Sequence, residues 1–312
     1  MRLSSRQIEE IGRLQSGKTL KDYPLSRLSS FKIGGPADLV VEPQTTGELA
    51  AVVHFLRAEG ISRIILGGGS NVLFHDAGFR GVVVRMNSIN RFELSANGSD
   101  HVRVSSDAGV PLASVLNHVC RSGSTGLEPL WGIPGTFGGA VISNAGAGGA
   151  SICDFLVELE ILTDRCEEIL LKKADLHYGY RAVDLPPGSV VLRGTLRLSR
   201  GEPKVIEAAL AAAKSRRRHT QPLDRPSAGC IFKNPSPEKP AGAIIDRLGF
   251  KGVTVGGAEV SRVHANFIVN GGGASAADVL SLIEMIRGRV KEQEHIELEL
   301  EIRVVGEESA GE

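Results

Sequence analysis

Cys230 lies in Ser-Ala-Gly-Cys-Ile-Phe-Lys-Asn-Pro, residues 227–235. A thiol in this setting can be a core filler, a metal ligand or a group that moves a proton. Lone cysteines commonly fill cores. Here Lys233 and Asn234 follow directly and offer donors to anionic oxygens. The basic run Lys214, Arg216, Arg217, Arg218 lies just upstream, and such runs mostly form solvated faces. None of the four cysteines (Cys120, Cys153, Cys166, Cys230) sits in CxxC, and no His cluster has zinc spacing, so no metal is expected. Tyr180-Arg181 sets an aromatic beside a guanidinium. The arginine fork suits a two-oxygen anion such as a carboxylate, with a surface ion pair as the plainer alternative. Glu301 falls on the charged face of the last apolar-alternating segment, where the pattern alone does not separate it from Glu297 or Glu299.

Glycine carries the second signal. The chain has 38 glycines in 312 residues, well above the usual ~7 %. They bunch rather than repeat, which suggests a large ligand held by main-chain amides. Gly67-Gly68-Gly69-Ser70-Asn71 follows the strand-like Ile-Ile-Leu. Successive amides in such a turn can cradle phosphate oxygens, although a plain tight turn reads the same way. It is neither G-x-x-x-x-G-K-[ST] nor G-x-G-x-x-G opening a helix, so neither a P-loop nor an ordinary Rossmann site is expected. The stretch Gly132–Gly149 collects seven glycines around Ser143 and Asn144. Ordering so bare a loop costs entropy. A dinucleotide along the backbone would repay it, and a glycine-lined structural crossover is the alternative.

The elements that must position these groups are partly visible. Thr45 and Glu48 have capping-box spacing, Leu49, Val52, Val53 and Leu56 mark one helical face, and Gly60 fits a stop. Further helices are expected over 110–123, 203–217 and 241–249, and from the Ser275/Asp278 box through Val290. Residues 1–30 read as a polar helix and a loop, and 126–150 as mostly turn. Strands are expected at 37–43, 61–66, 81–86, 101–106, 155–163, 190–199 and 264–270. Ile296, Leu298, Leu300, Ile302 and Val304 alternate with charged residues, predicting a long half-buried closing strand. The class is α+β with several small sheets, and the best boundary lies near Ser199–Pro203.

Lys+Arg and Asp+Glu number 36 each and aromatics are only 4 %, so no nucleic-acid partner is expected. No run is long and apolar enough to span a bilayer, the N-terminus has no signal-peptide core, and four scattered cysteines suit a reducing cytoplasm.

Together these motifs resemble the UDP-N-acetylenolpyruvoylglucosamine reductases, the MurB family. The resemblance runs from about Leu25 to Gly306. It rests on SSFKIGGPADLVVEP, LGGGSNVLF, GLEPLWGIPGTFGGAVISNAGAGG, YGYR, TQPLDRPSAGCIFKNP, AGAIIDRLGFKG, GGAEVSRVHANFIVN and LEIRVVG in order. It implies a two-lobed FAD-binding region of the vanillyl-alcohol-oxidase (PCMH) type over 31–200, after an extension at 1–30. A C-terminal α/β substrate-binding domain would span 201–312. FAD would be bound by Gly67, Gly68, Gly69, Ser70, Asn71, Gly132, Pro134, Gly135, Gly138, Gly139, Ser143, Asn144 and Gly146. NADPH would be the co-substrate, and an enolpyruvyl UDP-sugar the substrate, met by Tyr180, Lys233, Asn234, His264 and Asn266. Arg181, Cys230 and Glu301 would be catalytic, converging on one face of the flavin ring. Cys230 stands where well-known members carry serine. The short stretch between Arg181 and Cys230 resembles the compact subclass without the extra tyrosine-bearing loop. Another flavin oxidoreductase of the same superfamily, or a nucleotide-binding protein without turnover, are the rival readings.

Overall fold

The computed structural model describes residues 2–306. The chain divides into two compact units that interleave in sequence. The first takes residues up to Lys21, Leu39–Gly68 and Gly81–Ser215; the second takes Asp22–Asp38, Gly69–Arg80 and the chain from Arg216 on. Residue 1 and residues 307–312, the outer ends of the expected domains, lie outside the described residues.

In the first unit, Arg63–Leu66 runs parallel to Phe79–Arg85, with Arg63 opposite Val82. The helix Thr46–Ala58 begins where expected, with the Thr45 side chain accepting from the Glu48 N–H. Its Leu49, Val52, Val53 and Leu56 are fully buried. A larger sheet is ordered Glu168–Lys172, Leu156–Leu162, Val190–Arg200, His101–Asp107, Phe92–Asn97. Phe92–Asn97 is an edge strand that sequence reading passed over. Phe92, Leu94 and Ala96 do alternate with Glu93, Ser95 and Asn97, but five of the six residues are exposed, so the alternation marks no buried face.

The second unit builds a sheet ordered Ser227–Cys230, Phe267–Asn270, Ala258–Val260, Thr254–Val255. The helix Ala276–Glu294 buries Val279, Leu282, Ile283, Ile286 and Val290, each worth about 1.5–3 kcal/mol relative to exposure. Phe31, Ile33 and Leu73, from far earlier in the chain, share that core. The capping box at Ser275/Asp278 forms as expected. A residue two hundred positions away adds to it. The Asp76 carboxylate accepts from the Ala276 N–H at 2.8 Å and the Ala277 N–H at 3.1 Å, filling the helix's orphan donors.

The long closing strand does not form. Regular strand covers only Arg303–Val305, which pairs parallel with Val72–Phe74, and Leu300 makes an isolated bridge to Phe232. The alternation in sequence is real, because Leu298 and Ile302 are buried while Glu297, Glu299 and Arg303 are exposed. An extended chain alternates its faces whether or not it joins a ladder. The reading of 126–150 as mostly turn also misses a short helix, Phe137–Ile142. Its Gly-Gly start hides it, and Thr136 supplies the cap to the Gly139 N–H at 3.4 Å.

Candidate functional site

In the first unit the glycines serve close backbone contact. A Cβ at Gly68 would stand 2.5 Å from Gly135 Cα, so the two glycine turns touch main chain to main chain. Gly135 O accepts from the Leu112 N–H at 3.0 Å, and Gly138 N–H donates to Ala108 O at 2.9 Å. These bonds fix the loop. Gly139 differs: a Cβ there would meet only Thr136 Oγ1 at 3.6 Å, so the protein's own contacts do not demand glycine. A bare, fixed main chain with room above it fits a ligand that lies along the backbone; Gly139 has that room, whereas Gly67, Gly68, Gly69, Gly138 and Gly146 are closed in by the protein's own atoms.

Arg181 sits in the same unit. Tyr178–Gly179 and Ala182–Val183 form a hairpin whose two-residue turn is Tyr180-Arg181. Arg181 has φ +56, a left-handed conformation that a non-glycine residue adopts at a cost of ~1–3 kcal/mol. Its Nη1 donates to Gly146 O at 3.1 Å, and its guanidinium carbon lies 5.6 Å from the centre of the Tyr180 ring. Asn144 anchors this arrangement. Nearly buried, it donates through Nδ2 to Gly179 O at 2.8 Å and accepts from the Cys153 N–H at 3.3 Å. Ser143 Oγ donates to Gly139 O at 2.9 Å. The side chains of Asn144 and Ser143 therefore hold the loop itself.

The second unit brings the other expected groups together. Cys230 ends the strand Ser227–Cys230, where the register slips and Gly229 takes φ +82. Ile231 O accepts from the Glu301 N–H at 2.8 Å, so the segments bearing Cys230 and Glu301 are direct neighbours. Glu301 is half-buried, whereas the side chains of Glu297 and Glu299 are each 75 % exposed and pair with Lys291 and Lys233. Burial makes the distinction that alternation could not. A cavity of about 270 Å³ opens beside Cys230, lined also by Asn234, Asp246, Lys251, His264 and Asn266.

Within it, Lys251 Nζ pairs with Asp246 at 2.6 Å. Burial pushes the His264 pKa down and the Lys251 charge adds to this, against an opposing pull from Asp246. The Asn266 N–H donates to His264 Nδ1 at 3.2 Å, which leaves the proton of the neutral ring on Nε2. Asn266 itself is buried, and both ends of its carboxamide are committed. Oδ1 accepts from the Phe232 N–H at 2.9 Å and Nδ2 donates to Phe232 O at 2.8 Å. Asn234 Oδ1 accepts from the Ala241 N–H at 3.0 Å, and Lys233 Nζ lies 3.1 Å from Glu299.

One residue of the basic run departs from the solvated-face reading. On the helix Pro203–Thr220, Ile206 and Ala213 are buried, and Arg217 stands one turn beyond Ala213. Its Nε is buried without a hydrogen bond among the described residues. Burial pulls its pKa down and Cys230 opposes that shift, so guanidinium and thiol sense each other. The spacing 206, 213, 217 was the signal. No group of His, Cys, Asp and Glu among the described residues could hold a metal ion, and no helix among them is long and apolar enough to cross a membrane.

Comparison with known proteins gives this geometry its context. Residues 37–170 match an FAD binding domain, and residues 221–305 match the C-terminal domain of UDP-N-acetylenolpyruvoylglucosamine reductase. The reductase of that name from Syntrophus aciditrophicus is 40 % identical over 96 % of this chain and 96 % of its own. The chain belongs to the UDP-N-acetylenolpyruvoylglucosamine reductase family. The Anaeromyxobacter dehalogenans (strain 2CP-C) reductase is 42 % identical over 96 % of this chain and 89 % of its own. The crystal structure of the Thermus caldophilus family member superposes with a TM-score of 0.78, at 35 % identity, over 93 % of this chain and 98 % of that one. The PCMH-type FAD-binding fold with a C-terminal MurB domain, expected from sequence, is thereby established.

Proposed function

We propose that the chain reduces the enolpyruvyl group of a UDP-sugar, forming UDP-N-acetylmuramate for peptidoglycan synthesis with FAD bound and NADPH consumed. The observation that carries the site assignment is the main-chain bond from Glu301 to Ile231, which sets a carboxyl group and the Cys230 thiol on adjoining segments beside a cavity. When bound, FAD would lie along the glycine stretches 67–71 and 132–149 and would supply hydride transfer from NADPH to the terminal carbon of the substrate double bond.

The chain's own residues handle the charge and the proton. Hydride addition leaves negative charge on the neighbouring carbon and its carboxylate, which donors aimed at that group stabilise. Arg181 supplies a two-pronged cation, held by Gly146 and by its left-handed turn. Glu301 acts as a carboxylic acid, because a second carboxylate beside the first would be unfavourable. Cys230 gives the final proton to carbon. A free thiol, with a pKa near ~8.5, is a stronger acid than the serine hydroxyl of other members, provided it stays protonated. Lys233, Asn234 and His264 face the sugar nucleotide, Tyr180 flanks the carboxylate site, and Asn266 holds the strand that carries Cys230. The FAD-binding region spans 31–200 and the substrate domain begins near 201. The enzyme works in the cytoplasm, in line with four free cysteines, and the balanced charge gives it no nucleic-acid partner.

The test is direct. The purified protein should show a flavin spectrum, bleach anaerobically with NADPH, and recolour on addition of the enolpyruvyl sugar nucleotide. Recolouring by oxygen alone, with no response to that substrate, would instead favour a different flavin oxidoreductase.

A further inference from the structure

The turn that ends at Asn71 does more than present amides. Val72 lies opposite Arg303 in the parallel pairing of Val72–Phe74 with Arg303–Val305. The next rung towards the site would set Asn71 opposite Ile302. In a parallel ladder such a rung needs two bonds, Arg303 N–H to Asn71 O and Asn71 N–H to Glu301 O. The first is present at 3.0 Å. The second is made by the side chain: Asn71 Nδ2 donates to Glu301 O at 3.1 Å. The carboxamide thus stands in for the main-chain amide of its own residue. Glu301 is gripped on both sides, its N–H on Ile231 O and its carbonyl on Asn71. The turn itself is tied down by the Ser30 N–H on Gly69 O at 2.9 Å.

We infer that Asn71 is a positioning residue for Glu301: its side chain completes the last rung of the parallel pair and so fixes where the Glu301 carboxyl group stands. Only a donor of this length serves. The inference rests on the reading of Glu301 as catalytic, and it moves the Asn71 side chain from holding cofactor to holding the acid.

Asn71→Asp keeps the outline and replaces the donor with an oxygen facing the Glu301 carbonyl. Stopped-flow traces would separate flavin reduction by NADPH from reoxidation by the enolpyruvyl sugar nucleotide. Reoxidation should slow ~10- to 100-fold, as for a small misplacement of a reacting group, while reduction and FAD content stay within ~2-fold. In a Glu301→Gln background the same change should cost less than ~2-fold more, because its effect runs through Glu301. Parent-like reoxidation in Asn71→Asp, equal slowing of both half-reactions, or losses that multiply in the double variant would each overturn the inference. If Glu301→Gln alone reoxidises like the parent, the catalytic reading of Glu301 fails first. Should Asn71→Asp not fold, Asn71→Ser, which is too short to reach, is read by the same criteria.

Discussion

The glycine loop 132–149 and the strip that joins Ser227–Asn234 to Glu299–Arg303 solve the same problem in opposite ways. In the loop the working surface is main chain, and its polar side chains are spent on holding it. Asn144 binds the hairpin of Arg181, and Ser143 binds its own helix. In the strip the working groups are side chains, and asparagines hold the main chain behind them: Asn266 grips Phe232 and Asn71 grips Glu301. A surface made of backbone offers evolution little to exchange. A surface made of side chains can trade one functional group for another, as a thiol for a hydroxyl.

Four measurements sharpen that contrast. The largest effect belongs to the strip. Cys230→Ala should slow reoxidation by substrate by ~10²- to 10⁴-fold, the usual worth of a positioned proton donor, whereas Cys230→Ser keeps substantial activity. An alanine variant as fast as the parent would remove Cys230 from the reaction. In the loop, Gly68→Ala drives a Cβ against Gly135 Cα and should cost ~1–3 kcal/mol of stability, as overpacking does. Because the strain falls on main chain, flavin should be lost with it. A fully yellow, unshifted variant would show the loop to be more yielding than its contacts imply.

A smaller effect comes from pH. The folded pKa of His264 lies below its ordinary 6.5. The unfolded chain therefore binds the proton first, and stability falls as pH drops below that value. Urea midpoints at pH 7.5 and 5.5 should differ more in the parent than in His264→Gln, and equal slopes would discount the shift. The smallest concerns the other thiols. Burial raises Cys120 to about 11 and Cys153 to about 12, so both stay protonated at neutral pH. Iodoacetamide at pH 8 should label Cys230 well before either, and peroxide sensitivity should follow Cys230. Rapid labelling of Cys153 would contradict its burial.

Much of this was legible in the sequence because local rules decided it. The Ser275 box and the buried faces of both helices form as their spacing predicts, while Thr45 caps its helix alone because the Glu48 carboxylate turns to the Gln44 N–H. Misreadings arose where partners lie far along the chain. The closing segment alternates perfectly yet joins a regular ladder only at Arg303–Val305, because nothing in residues 295–302 states which neighbour will be present. Asn71 looked like part of a phosphate turn, and its bond to Glu301 spans 230 positions. Asn266 lines the cavity, yet both ends of its carboxamide are spent on Phe232, which the letter alone does not reveal. Arg217 was hidden between the exposed Arg216 and Arg218, although its helical phase with Ala213 marked it.

The Asp76 cap has a consequence for biosynthesis. Its two acceptor oxygens serve amides made two hundred residues later. At ~5–20 residues per second, the 69–80 segment emerges some ~10–40 seconds before the helix it must cap. Through that interval it waits beside a nascent polypeptide with its eventual partner unmade. The second unit can therefore reach its native state only after the helix Ala276–Glu294 has been made. A gene truncated in its last third should yield a chain whose early residues have nowhere to dock, and so a target for chaperones and proteases.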